Sequence, residues 1–316
     1  MSSDEAVAAL LGARLVLVTG KGGTGKTTFA AALALLAEAR GRRVLLCEVD
    51  SQRPSLPAVF GTAARFEPEP VRPRLHVSNV TWREALMEFL ASVVPSRRLV
   101  SLILSNQGVA RFLDFTPGSR EIVTLSAIEA RTRDYDVVVV DMPASGHAFS
   151  LLDITRSAMG LFRSGPVRGR AEQLRALLLD AGTRVALVAL PEEMVVTETV
   201  ETAERLSASG LLSAPPIVFL NNANPPSLGD AEHGLIDRLW ARTDLDVVQR
   251  EFVRAGRWEA TLESATAAAQ SGLRERISVE PVTVAPAPPG LGPREIVQHV
   301  AASLGRRVGL TRRDLA

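Results

Sequence analysis

The chain has 316 residues, a formal net charge of +1, 46% apolar residues and 22% charged residues, which excludes intrinsic disorder and is ample for a packed core. Near-zero net charge leaves no global field to recruit nucleic acid or an acidic membrane. The one cysteine, Cys47, excludes disulfide frameworks, cysteine-built zinc clips and iron–sulfur ligation by this chain.

The N-terminal MSSDEAVAAL is acidic and lacks the basic segment of a secretory leader, and no apolar run reaches the about 18 residues of a spanning helix. The cytoplasm is the expected compartment, with no stable membrane insertion. Further along, short β-branched runs alternate with longer helical patterns. Strands are predicted at Arg14–Thr19, Arg43–Val49, Leu75–Asn79, Tyr135–Val140, Arg184–Leu190, Ile217–Leu220 and Pro281–Val284. Helices are predicted at Lys26–Arg40, Trp82–Val94, Glu121–Arg131, Ala171–Asp180, Val195–Ser209 and Ala231–Ala241. Several strands are continuously apolar, as in parallel sheets covered on both faces. The alternation predicts an α/β fold with a doubly wound, mostly parallel sheet. We read residues 1–316 as one domain, with a helical insertion at about 82–134 and a further helical segment at about 151–180. The proline-rich stretches Glu67–Pro73 and Ala285–Pro293 read as extended connectors, and the C-terminal GRRVGLTRRDLA as a solvated tail. No internal repeat is visible, so a two-site enzyme would need two chains.

The stretch GKGGTGKTT, Gly20 to Thr28, holds the chain's only lysines, Lys21 and Lys26; arginine supplies every other fixed positive charge. Gly20-x-x-x-x-Gly25-Lys26-Thr27 fits the P-loop pattern, between a strand and a helix as that pattern requires. Such a loop cradles ATP or ADP: its backbone N–H groups turn inward and the helix N-terminus adds its dipole. The candidate nucleotide-binding residues are therefore Gly20, Lys21, Gly22, Gly23, Thr24, Gly25, Lys26, Thr27 and Thr28. Lys26 should reach the β/γ-phosphates as a compact ammonium, which a planar guanidinium replaces poorly. Thr27 should present its hydroxyl to Mg²⁺. Lys21 has no evident task in its own chain, and its retention suggests a phosphate contact on another subunit.

The loop resembles that of the deviant Walker A ATPases, whose form is GKGGxGKTT and whose extra lysine acts across a dimer interface. Asp141-Met-Pro-Ala-Ser-Gly-His147 is similar to the DTAPTGH switch of the arsenite-pump and guided-entry branch of that superfamily. Pro117-Gly-Ser-Arg-Glu121 resembles the branch's PGxxE. RVALVALPEEMVVTE, Arg184 to Glu198, resembles its strand–PE–helix segment, and Asn221 after IVFL matches its adenine-contacting asparagine. The matches run over roughly residues 14–290. The chain departs from the family in lacking the metalloid-binding cysteines, the CxxC clip and the histidine of the DPAHS-like first switch, where it has Asp50-Ser-Gln-Arg-Pro-Ser-Leu56. Methionines, which line the branch's client groove, are few.

The resemblance implies that Asp50 orients or deprotonates the attacking water and that Lys21 stabilises charge on a partner's nucleotide, as an arginine finger does. It places Asp141 in the outer coordination of Mg²⁺, gives Gly146 a backbone contact to the γ-phosphate, and assigns Glu198, Asn221 and Pro286 to nucleotide binding. His147 stays open between a catalytic and a structural reading. As a whole it implies a Mg²⁺-dependent ATPase acting as a dimeric switch, a homodimer or a heterodimer with a paralogue. Its expected role is handling a hydrophobic protein client, for which Leu151, Leu152, Ile154, Met159, Leu161 and Phe162 are a candidate patch. The alternative is a spatial regulator of the Par/Min kind, with an arsenite-pump subunit disfavoured for want of thiols.

Overall fold

A computed structural model describes residues 1–49, 51, 54–93, 118–161 and 163–315. An eight-stranded sheet runs through the protein in the order β3-β4-β2-β5-β1-β6-β7-β8. Its strands are β1 (Leu15–Thr19), β2 (Val44–Val49), β3 (Glu69–Arg72), β4 (Leu75–Val80), β5 (Val137–Asp141), β6 (Thr183–Ala189), β7 (Ile217–Leu220) and β8 (Val282–Thr283). All neighbours pair in parallel except β3 with β4. β1, β2 and β5 are buried along their whole length, which explains their unbroken apolar sequence.

Helices cover both faces. On one face lie α1 (Ser3–Gly12), α2 (Lys26–Ala39), α3 (Leu56–Phe60) and α11 (Pro293–Arg306); on the other, α4 (Trp82–Val93), α5 (Ser119–Arg131), α6 (Ser145–Leu161), α7 (Pro166–Leu179) and α8 (Glu193–Ala208). Two more helices, α9 (Asp230–Trp240) and α10 (Val247–Ile277), form a hairpin between β7 and β8. α2 has no β-branched residue after its first turn, and the run Phe29–Glu38 is buried because sheet, α1 and α11 enclose it. Phe29 meets Phe219 edge-on with ring centroids 5.2 Å apart, a geometry favoured by the ring quadrupoles.

The architecture agrees with the expected doubly wound sheet; several local expectations are corrected. Glu69–Arg72, read as a connector, is an antiparallel edge strand whose register breaks between Pro70 and Arg72; an edge tolerates a proline that a central strand would not. The C-terminal tail is not freely solvated: a short 3₁₀ turn at Arg312–Leu315 buries Leu315, whose carbonyl accepts from Arg72 at 3.3 Å. Helices α1, α10 and α11 were not expected. Within the candidate client patch, Leu151 and Leu152 are core and Ile154 and Met159 pack against it. Phe162, Pro117 and the switch residues Asp50 and Arg53 lie outside the described residues.

Candidate functional site

The candidate residues gather at the carboxyl ends of β1 and β5, where α/β sheets bind ligands. β1 delivers the chain into Gly20, whose φ of +143° and position against β6 leave no room for a side chain: an added Cβ would stand 2.2 Å from the Val188 carbonyl oxygen. Gly23 and Gly25 also take positive φ, +84° and +94°. The left-handed Gly25 starts α2, and no side chain caps its first turn. The free N–H groups of that turn are the donors a phosphate would use. Thr24 braces the loop from within, its buried hydroxyl donating to the Lys21 carbonyl at 2.9 Å.

The Lys26 ammonium donates to the Lys21 carbonyl at 3.0 Å, folding over its own loop. Burial pulls its pKa down, while the Asp141 and Glu198 carboxylates pull it back up. Beside it, the Thr27 hydroxyl donates to Asp141 Oδ2 at 2.5 Å. Asp141 ends β5, in register with Val18 of β1 and Glu48 of β2. Burial pushes its carboxyl up to about 6, with the Thr27 hydroxyl opposing, the neighbouring Glu48 reinforcing and Lys26 opposing the shift. Its second oxygen, Oδ1, is buried with no hydrogen-bond partner among the described residues. An orphaned buried carboxylate oxygen beside a hydroxyl suits a hard divalent cation. Among the described residues no group of three or more His, Cys, Asp or Glu converges. One carboxylate and one hydroxyl are a donor pair that Mg²⁺ could accept, since it takes one or two protein ligands and completes its shell from water and phosphate.

The segment after β5 is fastened to the loop by three bonds. Met142 N donates to Val18 O at 2.9 Å, Thr19 Oγ1 to Pro143 O at 2.9 Å, and Ser145 N to Gly20 O at 3.2 Å. Ser145 Oγ donates to Glu198 on α8, and the other Glu198 oxygen lies 3.6 Å from the Lys21 ammonium. Lys21 therefore does have a partner in its own chain, contrary to the sequence expectation. The switch segment, Glu198 and Lys21 form one linked group. Ser145 was missed by sequence reading, although a hydroxyl opening a helix inside DMPASGH was a usable signal. Glu48 on β2, beside Asp141, accepts from Ser55 N at 2.7 Å and Leu56 N at 3.3 Å at the start of α3.

Asn221 follows β7 and approaches the loop from the opposite side. Its amide donates to Thr24 O at 2.9 Å, and an added Cβ on Gly25 would come within 2.7 Å of it. Gly146 is exposed in the first turn of α6, with nothing within 4 Å of where a Cβ would stand. His147 is exposed beside it, and no described residue pairs with its ring. Pro286 is exposed two residues beyond Val284, which bonds to both Leu220 and Ala223. Gly22 and Gly23 are exposed on the loop and Thr28 is half-buried in the first turn of α2. Thus Lys21, Lys26, Thr27, Asp141, Glu198 and Asn221 converge on the loop, whereas Pro286 makes no described contact with it.

The anion-transporting ATPase family profile matches residues 13–164, which contain the loop, Asp141 and His147. Over 251 residues the chain is 32% identical to the ATPase BagA of Mycobacterium tuberculosis, covering 72% of each protein. It is 27% identical over 254 residues to an arsenical pump-driving ATPase of Acidiphilium multivorum, covering 71% of this chain and 42% of that one. With this loop in this setting, and a relative matched over most of its length, the chain belongs to the anion-transporting ATPase family.

Proposed function

We propose that the chain binds ATP with Mg²⁺ at this loop, hydrolyses it, and works as a two-chain, nucleotide-driven switch of the guided-entry type. The observation that carries the reading is the Thr27–Asp141 pair beside Lys26, with Asp141 Oδ1 left orphaned. Thr27 and Asp141 would hold Mg²⁺, which when bound offsets negative charge on the phosphates. Lys26 would exchange the Lys21 carbonyl for phosphate oxygens. The open first turn of α2 and the glycine backbone would orient the phosphate chain. Gly146 would follow the γ-phosphate, its neighbour Ser145 being tied to Gly20 and Glu198. Asp50 would orient the attacking water and take its proton. Lys21 reaches a second chain's nucleotide only after leaving Glu198, so dimer closure and the opening of that ion pair would be one event. Asn221 would turn from Thr24 toward adenine, with Pro286 on the other side of the base.

Phosphate release with Mg²⁺ and ATP tests the reading. Lys26→Ala should abolish turnover, and Asp50→Asn should retain ATP while losing hydrolysis. A mixture of Lys21→Ala and Asp50→Asn chains should regain activity in mixed dimers if Lys21 acts in trans. Wild-type turnover by Lys26→Ala, or hydrolysis indifferent to Mg²⁺ removal, would sink the proposal.

A further inference from the structure

Glu198 joins the three parts of the site that a nucleotide-driven switch must move. It stands on α8, which buries Val195, Val196, Thr199 and Val200 around it. Its backbone is thus fixed to the core, while its half-buried carboxylate reaches the loop. One carboxylate oxygen, Oε1, accepts from Ser145 Oγ, and the other, Oε2, lies 3.6 Å from the Lys21 ammonium. Among the described residues, Glu198 is the only carboxylate within 4 Å of Lys21, and Lys21 the only cation within 4 Å of Glu198.

Main chain closes the circuit. Buried Ser145 donates its N–H to Gly20 O at 3.2 Å, and Gly20 immediately precedes Lys21. Ser145 is therefore tied to the loop by its backbone and to α8 by its hydroxyl. The next residue, Gly146, makes no such backbone bond: His147 N and Ala148 N both donate to Ala144 O, at 2.9 and 3.0 Å, but Gly146 N has no partner among the described residues. It is an open donor in the first turn of α6, and any anion that draws it moves Ser145 as well.

Lys21 is held by its own chain at both ends. Its carbonyl accepts from the Lys26 ammonium at 3.0 Å and from Thr24 Oγ1 at 2.9 Å, and its ammonium faces Glu198. The two ends answer to different events. Phosphates in the cradle would draw Lys26 off the Lys21 carbonyl, which leaves the Glu198 contact in place. Only a displacement of Ser145 reaches Glu198. An ion pair as exposed as Lys21–Glu198 shifts an equilibrium by no more than about fivefold, enough to bias a switch without locking it.

We propose that Glu198 and Ser145 are positioning residues: together they hold Lys21 on its own chain until a γ-phosphate draws Gly146, and Ser145 with it, away from the loop. The inference rests on the two-chain reading of Lys21 given above and adds what decides when Lys21 is released. With ADP, Ser145 keeps its hydroxyl on Glu198 and Lys21 stays in place. With ATP, Glu198 loses the bond that orients it, and Lys21 is free to reach a second chain. Dimer closure would then distinguish triphosphate from diphosphate without Glu198 touching either, a role different from the nucleotide contact that family resemblance implies for it.

The first test uses the full chain without nucleotide. Its acetylation by an N-hydroxysuccinimide ester is followed at Lys21 by peptide mass mapping, with a free lysine peptide in the same tube as standard. Glu198→Gln keeps an oxygen for Ser145 and removes the charge facing Lys21, so it should raise the Lys21 rate about two- to fivefold. Ser145→Ala should raise it about twofold, and Ser145→Thr, which restores the hydroxyl, should return it to the wild-type rate. The double variant Glu198→Gln, Ser145→Ala should react no faster than Glu198→Gln alone, because the hydroxyl acts through the carboxylate. The second test measures self-association by sedimentation with Mg²⁺. The wild type should associate more tightly with a non-hydrolysable ATP analogue than with ADP. Glu198→Gln should narrow that ratio about two- to fivefold by strengthening the ADP dimer. An unchanged Lys21 rate in Glu198→Gln, additive rates in the double variant, or an unchanged ratio overturns the proposal. A wild type that associates with neither nucleotide overturns the two-chain reading instead, and the Lys21 rates still decide whether Glu198 and Ser145 hold Lys21.

Discussion

Replacing Asp141 by asparagine should stabilise the ligand-free protein while weakening its hold on Mg²⁺ and nucleotide. Burial holds the Asp141 carboxyl at about 6, against an ordinary value of 3.8. The folded chain therefore binds this proton more tightly than the unfolded chain. Above about pH 6 the buried charge costs the folded state about 3 kcal/mol, and the cost fades as pH falls from there toward 3.8. Asparagine removes the charge and can still accept from Thr27. It puts an amide donor where Oδ1 has no partner, which costs about 1 kcal/mol. The net gain of about 2 kcal/mol corresponds to roughly 2–4 °C in melting temperature for a chain this long. Thermal unfolding in EDTA at pH 7.5 should show that rise, and at pH 5, where about half the cost remains, a smaller one. With Mg²⁺ and a non-hydrolysable ATP analogue the order should invert, because the wild type gains more from ligand. An Asp141→Asn protein that melts no higher than wild type in EDTA at pH 7.5 would refute the reasoning.

Two further outcomes follow from the loop and the core. Gly20→Ala should lower stability by about 3 kcal/mol or more, because its Cβ would overlap the Val188 carbonyl; Gly41→Ala, at φ +79° with open space around it, should cost about 1 kcal/mol. Equal urea midpoints for the two variants would contradict the close approach of β1 and β6. Cys47 is buried, and burial pushes its thiol up to about 12. A thiol reagent should leave it unmodified in native buffer and modify it after denaturation, and rapid native labelling would show the core to be open.

The parts of the fold readable in advance were those where local pattern and tertiary environment agree. β1, β2 and β5 announce themselves because both faces are covered, and the loop because its glycines serve backbone geometry. α10 escaped detection because only scattered positions, such as Ala269 and Leu273, face the core, so its apolar period is faint and its apolar N-terminal residues point outward. α11 carried a usable signal in Pro293 and Glu295 at its start. The Lys21–Glu198 pair could not be read at all: 177 positions separate the residues, and their meeting depends on β1 and β6 lying side by side. Resemblance named Glu198 as a nucleotide contact, but its engagement with Lys21 and Ser145 came from the structure.

The confinement of lysine to one loop has a chemical consequence. A protease that cuts after lysine finds its only two cleavage points, after Lys21 and Lys26, inside the phosphate cradle. An acylating reagent finds no other side-chain amine. Lys21 is more than one-third exposed, and Lys26 is folded over its own backbone. A ligand in the cradle would shield Lys26, whereas Lys21, held by Glu198, would be shielded by a second chain closing over the loop. The native chain thus carries its own reporter, in which the rate of cleavage or acylation at Lys26 would follow filling of the cradle and that at Lys21 would follow closure by a second chain.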